Sequence, residues 1–128
     1  MTPNNPVAAA ILNDLAHGDA FVRMTYQSAA HLLPVALRED IRLDDLLGID
    51  RQKTALLANL DHFLSGKPCQ HMLLWGARGT GKSSLIRAAL LHYRARGLKS
   101  LQIACDDLAD LPFLLWTLAH SDSPYLIY

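Results

Sequence analysis

The sequence predicts an α/β layer sandwich built on a parallel sheet and preceded by a helical segment. Three observations carry this reading. Short continuous apolar runs at 71–75, 100–105 and 125–128 have the length and composition of strands covered on both faces. Helical periodicity fills the intervals between them. The resulting order of strand, helix, strand, helix, strand requires crossover connections and hence parallel pairing. Finally, 128 residues, 51% apolar and 19% charged, suffice for one ordinary domain with a buried core.

The elements follow in order. Asn5 reads as a helix N-cap with Pro6 in the first turn, and Val7, Ile11, Leu12 and Leu15 recur at helical spacing until Gly18. Asp19 is read as capping a second helix, with Phe21, Met24 and Leu32 on one side and Pro34 as its stop. Residues 1–34 are therefore expected to be a helical N-terminal segment, and residues 35–128 the α/β domain. From 35 to 45 the pattern is irregular and extended. Asp50 caps a third helix, whose Leu56, Leu57, Leu60, Phe63 and Leu64 form an apolar stripe that ends at Gly66. The period then changes at the first strand, 71–75, followed by a glycine-rich turn at 76–81. A helix over 84–96 carries Leu85, Ile86, Ala89, Leu90 and Tyr93 inward, and Gly97 follows its end. The second strand, 100–105, precedes a helix opened by Asp110 and Pro112 that runs through Ala119, and a third strand begins at Tyr125.

The formal net charge is zero, which excludes a general polyelectrolyte role and gives no global signal for nucleic acid or anionic membrane. No apolar run approaches the roughly 18–20 residues of a membrane span. The start of the chain lacks the basic and long apolar stretches of a secretory signal, so the expected location is cytoplasmic. Cys69 and Cys105 have no metal or redox spacing and read as buried free thiols. The balance conceals a pattern, however. Residues 62–105 hold seven basic side chains and no acid, whereas 106–128 hold four aspartates and nothing basic. A stretch free of carboxylates is a candidate anion site. Arg87, Arg94 and Arg96 also read simply as solvated helix-face charges.

Gly76-Ala77-Arg78-Gly79-Thr80-Gly81-Lys82-Ser83 matches the phosphate-binding (Walker A) pattern G-x-x-x-x-G-K-[ST] in full. A chance match in a chain of this length is expected roughly four times in a thousand. The chemistry explains the residue types. Glycines at 76, 79 and 81 allow a tight turn whose successive N–H groups point at phosphate oxygens, and the helix start adds its dipole. Lys82 is a compact cation able to reach the β- and γ-phosphates of ATP, and Ser83 offers a hydroxyl to Mg²⁺. Arg78 has three readings: phosphate, a neighbouring subunit, or solvent. Ser84 has two, the α-phosphate or an ordinary early helical position.

Hydrolysis needs a further acidic motif to hold Mg²⁺ and orient water. Asp106-Asp107, after the 100–105 strand, is one candidate. The stronger reading is that Asp106, Asp107 and Asp110 start and cap the next helix, because this strand directly follows the loop helix. The six histidines (17, 31, 62, 71, 92 and 120) are scattered and suggest no metal site, and Trp75 and Trp116 read as core.

Leu43-Asp44-Asp45-Leu46-Leu47-Gly48-Ile49-Asp50, a helix, and then the phosphate loop resemble the start of an AAA+ ATPase module. Together with Asp106-Asp107-Leu108-Ala109-Asp110-Leu111-Pro112, they are most similar to a bacterial P-loop ATPase family known as domain of unknown function 815. The resemblance covers residues 35–128. It implies the N-terminal part of a three-layer P-loop NTPase sandwich that binds ATP and Mg²⁺, with Gly48 and Ile49 near the adenine and residues 76–84 around the phosphates. It also implies that the acidic motif, sensors, arginine finger and helical lid follow residue 128, so that residues 1–128 alone form neither a competent ATPase nor a well-closed domain. The strand at 100–105 should pair with the one at Tyr125. The implied partners are a protein client and, through that later half, further copies of the chain. Two other functions compete: a small-molecule kinase of the P-loop kind, and a non-enzymatic interaction piece that retains the loop. The Leu-Gly-Ile-Asp box and the helix ahead of the loop favour the ATPase over the kinase, which usually begins almost at the loop strand.

Overall fold

A computed structural model describes residues 4–37, 39–74 and 81–128. The chain is α/β and separates into two compact units, one formed by residues 1–36 with 97–128 and the other by 37–96.

The first unit contains α1 (Pro6–Leu15), β1 (Ala20–Tyr26), β2 (Ala29–Pro34), β3 (Lys99–Gln102), α4 (Leu111–Leu118) and β4 (Tyr125–Ile127); α2 (Asp50–Leu64) and α3 (Lys82–Tyr93) belong to the second unit. Among the described residues its strands form one sheet in the order β2-β1-β3-β4. β3 pairs in parallel with β4, as the sequence predicts, and in parallel with β1 on its other side. β1 and β2 are antiparallel, so the sheet is mixed, not parallel.

The N-terminal segment is the main correction. Asn5 does cap α1, its Oδ1 accepting from the N–H groups of Val7 and Ala8 at 2.9 and 3.1 Å. The second helix expected over 19–34 is instead a β-hairpin. Phe21, Val22, Thr25 and Tyr26 favour a pleated, half-buried surface, and the parallel partner that stabilises it, β3, lies about 80 residues further along the chain. Gln27 and Ser28 both adopt the left-handed region (φ 50° and 64°), giving the two-residue turn whose twist matches a hairpin. Neither is glycine or asparagine, so the turn carries no sequence signal.

Register explains the core. Phe21 stands opposite both Pro34 and Leu101, and Leu101 opposite Ile127. One sheet face therefore presents Phe21, Leu32 and Leu101 to Ile11 and Leu15 of α1 and Leu114 and Leu118 of α4. Leu101 is fully buried. Lys99 ties the sheet to α1 by donating to the Leu15 carbonyl at 3.2 Å, a favourable place for a cation at a helix end.

The second unit contains α2 (Asp50–Leu64) and α3 (Lys82–Tyr93). Asp50 is the first helical residue of α2 and Ile49 its N-cap, which corrects the expected capping role. α3 starts at Lys82, two residues before the expected boundary, and passes into a 3-10 turn over Arg94–Arg96. The strand expected over 71–75 is also corrected for its described part: 71–74 is not a strand, and Leu73 is 84% exposed. Trp75 lies outside the described residues. Residue 70 is held against α2 by an amide clamp, Asn59 Nδ2 donating to the Gln70 carbonyl at 2.5 Å and the Gln70 N–H donating to Asn59 Oδ1 at 2.9 Å.

Candidate functional site

The described part of the phosphate motif is the start of α3. Gly81 is left-handed, with φ at +89°, and directly precedes the helix. Its carbonyl accepts the helix's first hydrogen bond, from the Leu85 N–H at 2.9 Å. Lys82 and Ser83 are thus the first two helical residues, where N–H groups point out of the helix end and the dipole is positive. A residue with Cβ would be strained at this φ. Gly76, Ala77, Arg78, Gly79 and Thr80 lie outside the described residues. Ser84 is half-buried, and its Oγ accepts from Arg87 at 3.4 Å, one turn further along the helix.

The basic block is partly neutralised within the unit. Arg94 pairs with Glu39 at 2.8 Å, and Arg96 with Asp61 at 2.9 Å. Arg96 also donates to Ser65 Oγ at 3.3 Å and lies 5.8 Å from the centre of the Tyr93 ring. Tyr93 donates its own hydroxyl to the Leu57 carbonyl at 3.1 Å, joining the end of α3 to the middle of α2. Burial, with the Asp61 carboxylate beside it, pushes the Tyr93 pKa up to about 12, and Arg96 partly opposes this.

Gly48 and Ile49 stand at the entrance to α2. Gly48 is left-handed (φ +77°), and Ile49 is extended in φ at −129°. Lys53 holds this entrance by donating to the carbonyls of Leu43 and Leu46 at 2.7 and 2.9 Å. The 3-10 turn Leu43–Asp45 packs against α3. The Leu-Gly-Ile-Asp box and the Lys82–Ser84 helix start therefore belong to one compact unit. In the same unit, a groove of about 470 Å³ runs along α2, lined by Ala55, Asn59, His62, Cys69 and Met72 among others.

The acidic run starts helical structure, as the stronger reading expects, but its side chains are used differently. β3 ends at Gln102, and Asp106 and Asp107 lie in the first turn of a 3-10 helix, Cys105–Asp110. Asp110 is the N-cap residue of α4, as expected, but makes no side-chain capping bond. Its carboxylate and that of Asp107 instead meet Arg23, the Asp107 contact measuring 2.8 Å. Arg23 is two residues from Phe21 and opposite Leu32, so it points to the core face of the sheet, and its side chain is 8% exposed. The sequence reading missed Arg23. The available signal was a lone cation inside an apolar run, with an unassigned acidic cluster elsewhere. Cys69 and Cys105 are exposed free thiols, not buried ones, and Trp116 is 47% exposed and not core. No described helix is long and apolar enough to cross a membrane.

Among known proteins, the family model described as protein of unknown function (DUF815) matches residues 17–128. No curated protein and no solved structure matches.

Proposed function

Since the chain belongs to the DUF815 family, we propose that it is the ATP-binding portion of an AAA+-like P-loop ATPase, holding MgATP through residues 76–83. One observation carries the reading: a full phosphate-loop motif whose last glycine is left-handed and whose Lys-Ser pair opens a 12-residue helix. That placement puts a cation, a hydroxyl and the helix's positive end at the same point, which suits a polyphosphate. Lys82 neutralises the β- and γ-phosphates. Ser83 is exposed at the second helical position, and its hydroxyl fits a hard cation such as Mg²⁺, which supplies charge neutralisation when bound. Gly48 and Ile49 flank the base. On this reading the mixed sheet belongs to a three-layer P-loop sandwich, the location is cytoplasmic, and nucleotide binding is coupled to movement of a protein client.

Asp107 and Asp110 are engaged by Arg23, so on this reading the chain binds nucleotide without supplying the acid for hydrolysis. Titration with MgATP at fixed salt tests the proposal. Lys82→Ala weakens binding by about 1.5–3 kcal/mol, the scale for hydrogen bonds to charged groups. Ser83→Ala mainly reduces the dependence on Mg²⁺. Unchanged ATP affinity in Lys82→Ala would remove the loop as the site.

A further inference from the structure

An ordinary surface helix has one apolar face and one polar face. α4, LPFLLWTL, has no charged residue. Its inner face is satisfied, with Leu114, Thr117 and Leu118 buried. Its outer face should then be polar, and it is not. Phe113, Leu115 and Trp116 are 37%, 48% and 47% exposed, and Leu108 on the preceding turn is 52% exposed. Helical spacing puts Phe113 and Trp116 on one side, one turn apart, and their rings lie 5.7 Å between centres. The line continues to His120, whose ring is 4.8 Å from that of Trp116. A row of half-exposed rings on a helix that is apolar all round is the composition of a covered surface.

The surrounding charge identifies what would cover it. Asp106 and Asp122, both exposed, lie before and after the helix. The Asp110 side chain, at the helix start, is 46% exposed. No Lys or Arg occurs anywhere in residues 100–128. Arg23, the cation that reaches this region, is already buried against Asp107 and Asp110. The surface is therefore an apolar strip bracketed by the two exposed carboxylates of Asp106 and Asp122. It repels anionic lipid and nucleic acid and complements a strip of the opposite charge with the same apolar centre. We infer that the outer face of α4 docks a basic amphipathic protein helix, whose apolar side chains cover Trp116 and Phe113 and whose Lys or Arg residues meet Asp106 and Asp122.

The probe is a dye-labelled synthetic helix with Leu on one face and Lys on the other, titrated with the full chain and followed by fluorescence anisotropy. A Leu/Glu peptide of the same pattern is the control. The Leu/Lys peptide is expected to bind about tenfold or more tighter than the Leu/Glu peptide, and increasingly weakly as salt rises. Trp116→Ser reduces its affinity about tenfold, as truncating an aromatic anchor does. Phe113→Ser gives a second reading of the same face. Asp106→Asn combined with Asp122→Asn weakens binding about threefold and flattens the salt dependence. Circular dichroism checks that each variant is folded, which is expected because the altered side chains face solvent. Equal affinity for the two peptides overturns the inference, as does binding that both Trp116→Ser and Phe113→Ser leave unchanged. Self-association of the chain that Trp116→Ser abolishes would assign the face to a second copy, and preferential adhesion to phosphatidylglycerol vesicles would assign it to lipid. Either result also overturns it.

Discussion

Arg23 offers the most direct test of how the first unit is held together. Its guanidinium sits on the core face of β1 with only 8% of the side chain exposed, against Asp107 at 25% and Asp110 at 46%. Arg23→Met keeps much of the apolar stem and removes the charge. Asp107, three-quarters buried, then loses its partner, which costs about 1.5–3 kcal/mol for a hydrogen bond to a charged group. Asp110, near half exposed, is well solvated without Arg23 and adds at most about 0.5 kcal/mol. The expected loss for Arg23→Met is therefore about 2–3 kcal/mol, with about 1–2 kcal/mol for Asp107→Asn and less than about 0.5 kcal/mol for Asp110→Asn. Urea denaturation followed by Trp116 fluorescence in a Trp75→Phe background measures each value, provided the transition is two-state. The decisive quantity is the Arg23–Asp107 coupling from a double-mutant cycle, expected at about 1–2 kcal/mol and only weakly screened by salt. A coupling below about 0.3 kcal/mol would refute the reasoning, because the two groups would then be independent despite their contact. Asp107→Asn should also leave Mg²⁺-dependent ATP affinity unchanged, since its carboxylate is engaged by Arg23.

Other consequences follow from the same packing. Leu101→Ala empties the centre of the sheet's core face, where Leu101 is fully buried, and costs about 3 kcal/mol in the same denaturation assay. The Tyr93 pKa is raised in the folded state, to about 12 from 10.0, so its contribution is complete below pH 10 and is lost as pH rises through 12. The loss is on the order of 2 kcal/mol; stability measured at pH 9 and pH 12 should fall more for the wild type than for Tyr93→Phe. Asn59→Ala removes both hydrogen bonds to Gln70, and hydrogen exchange should show the Gln70 amide losing its protection while α2 keeps its own.

Local signals in the chain were sufficient for the parts of the structure made by neighbours in sequence. Asn5-Pro6 marks the start of α1, the stripe at Leu56 and Leu60 marks α2, and the glycine-rich turn ending at Gly81 marks the start of α3 to within two residues. Each rests on interactions within a few residues, namely a cap, a periodic face or a left-handed glycine. The pairing of 100–105 with Tyr125 was implied by the family resemblance, and the short helical crossover between them accounts for it. The hairpin over 20–34 was not legible. Its turn uses Gln27 and Ser28, without the usual glycine or asparagine, and its strands depend on β3, which is remote in sequence. Likewise, nothing near Asp107 or Asp110 in sequence names Arg23 as their partner; two non-consecutive elements had to be assembled before burial made that charge pair necessary. The 71–74 run shows the reverse failure. Its apolar composition satisfies the pattern of a buried strand, but pattern records only which residues could be buried. Whether such a run finds a strand to pair with is decided by the tertiary structure, and among the described residues the sheet consists of β2, β1, β3 and β4 without it.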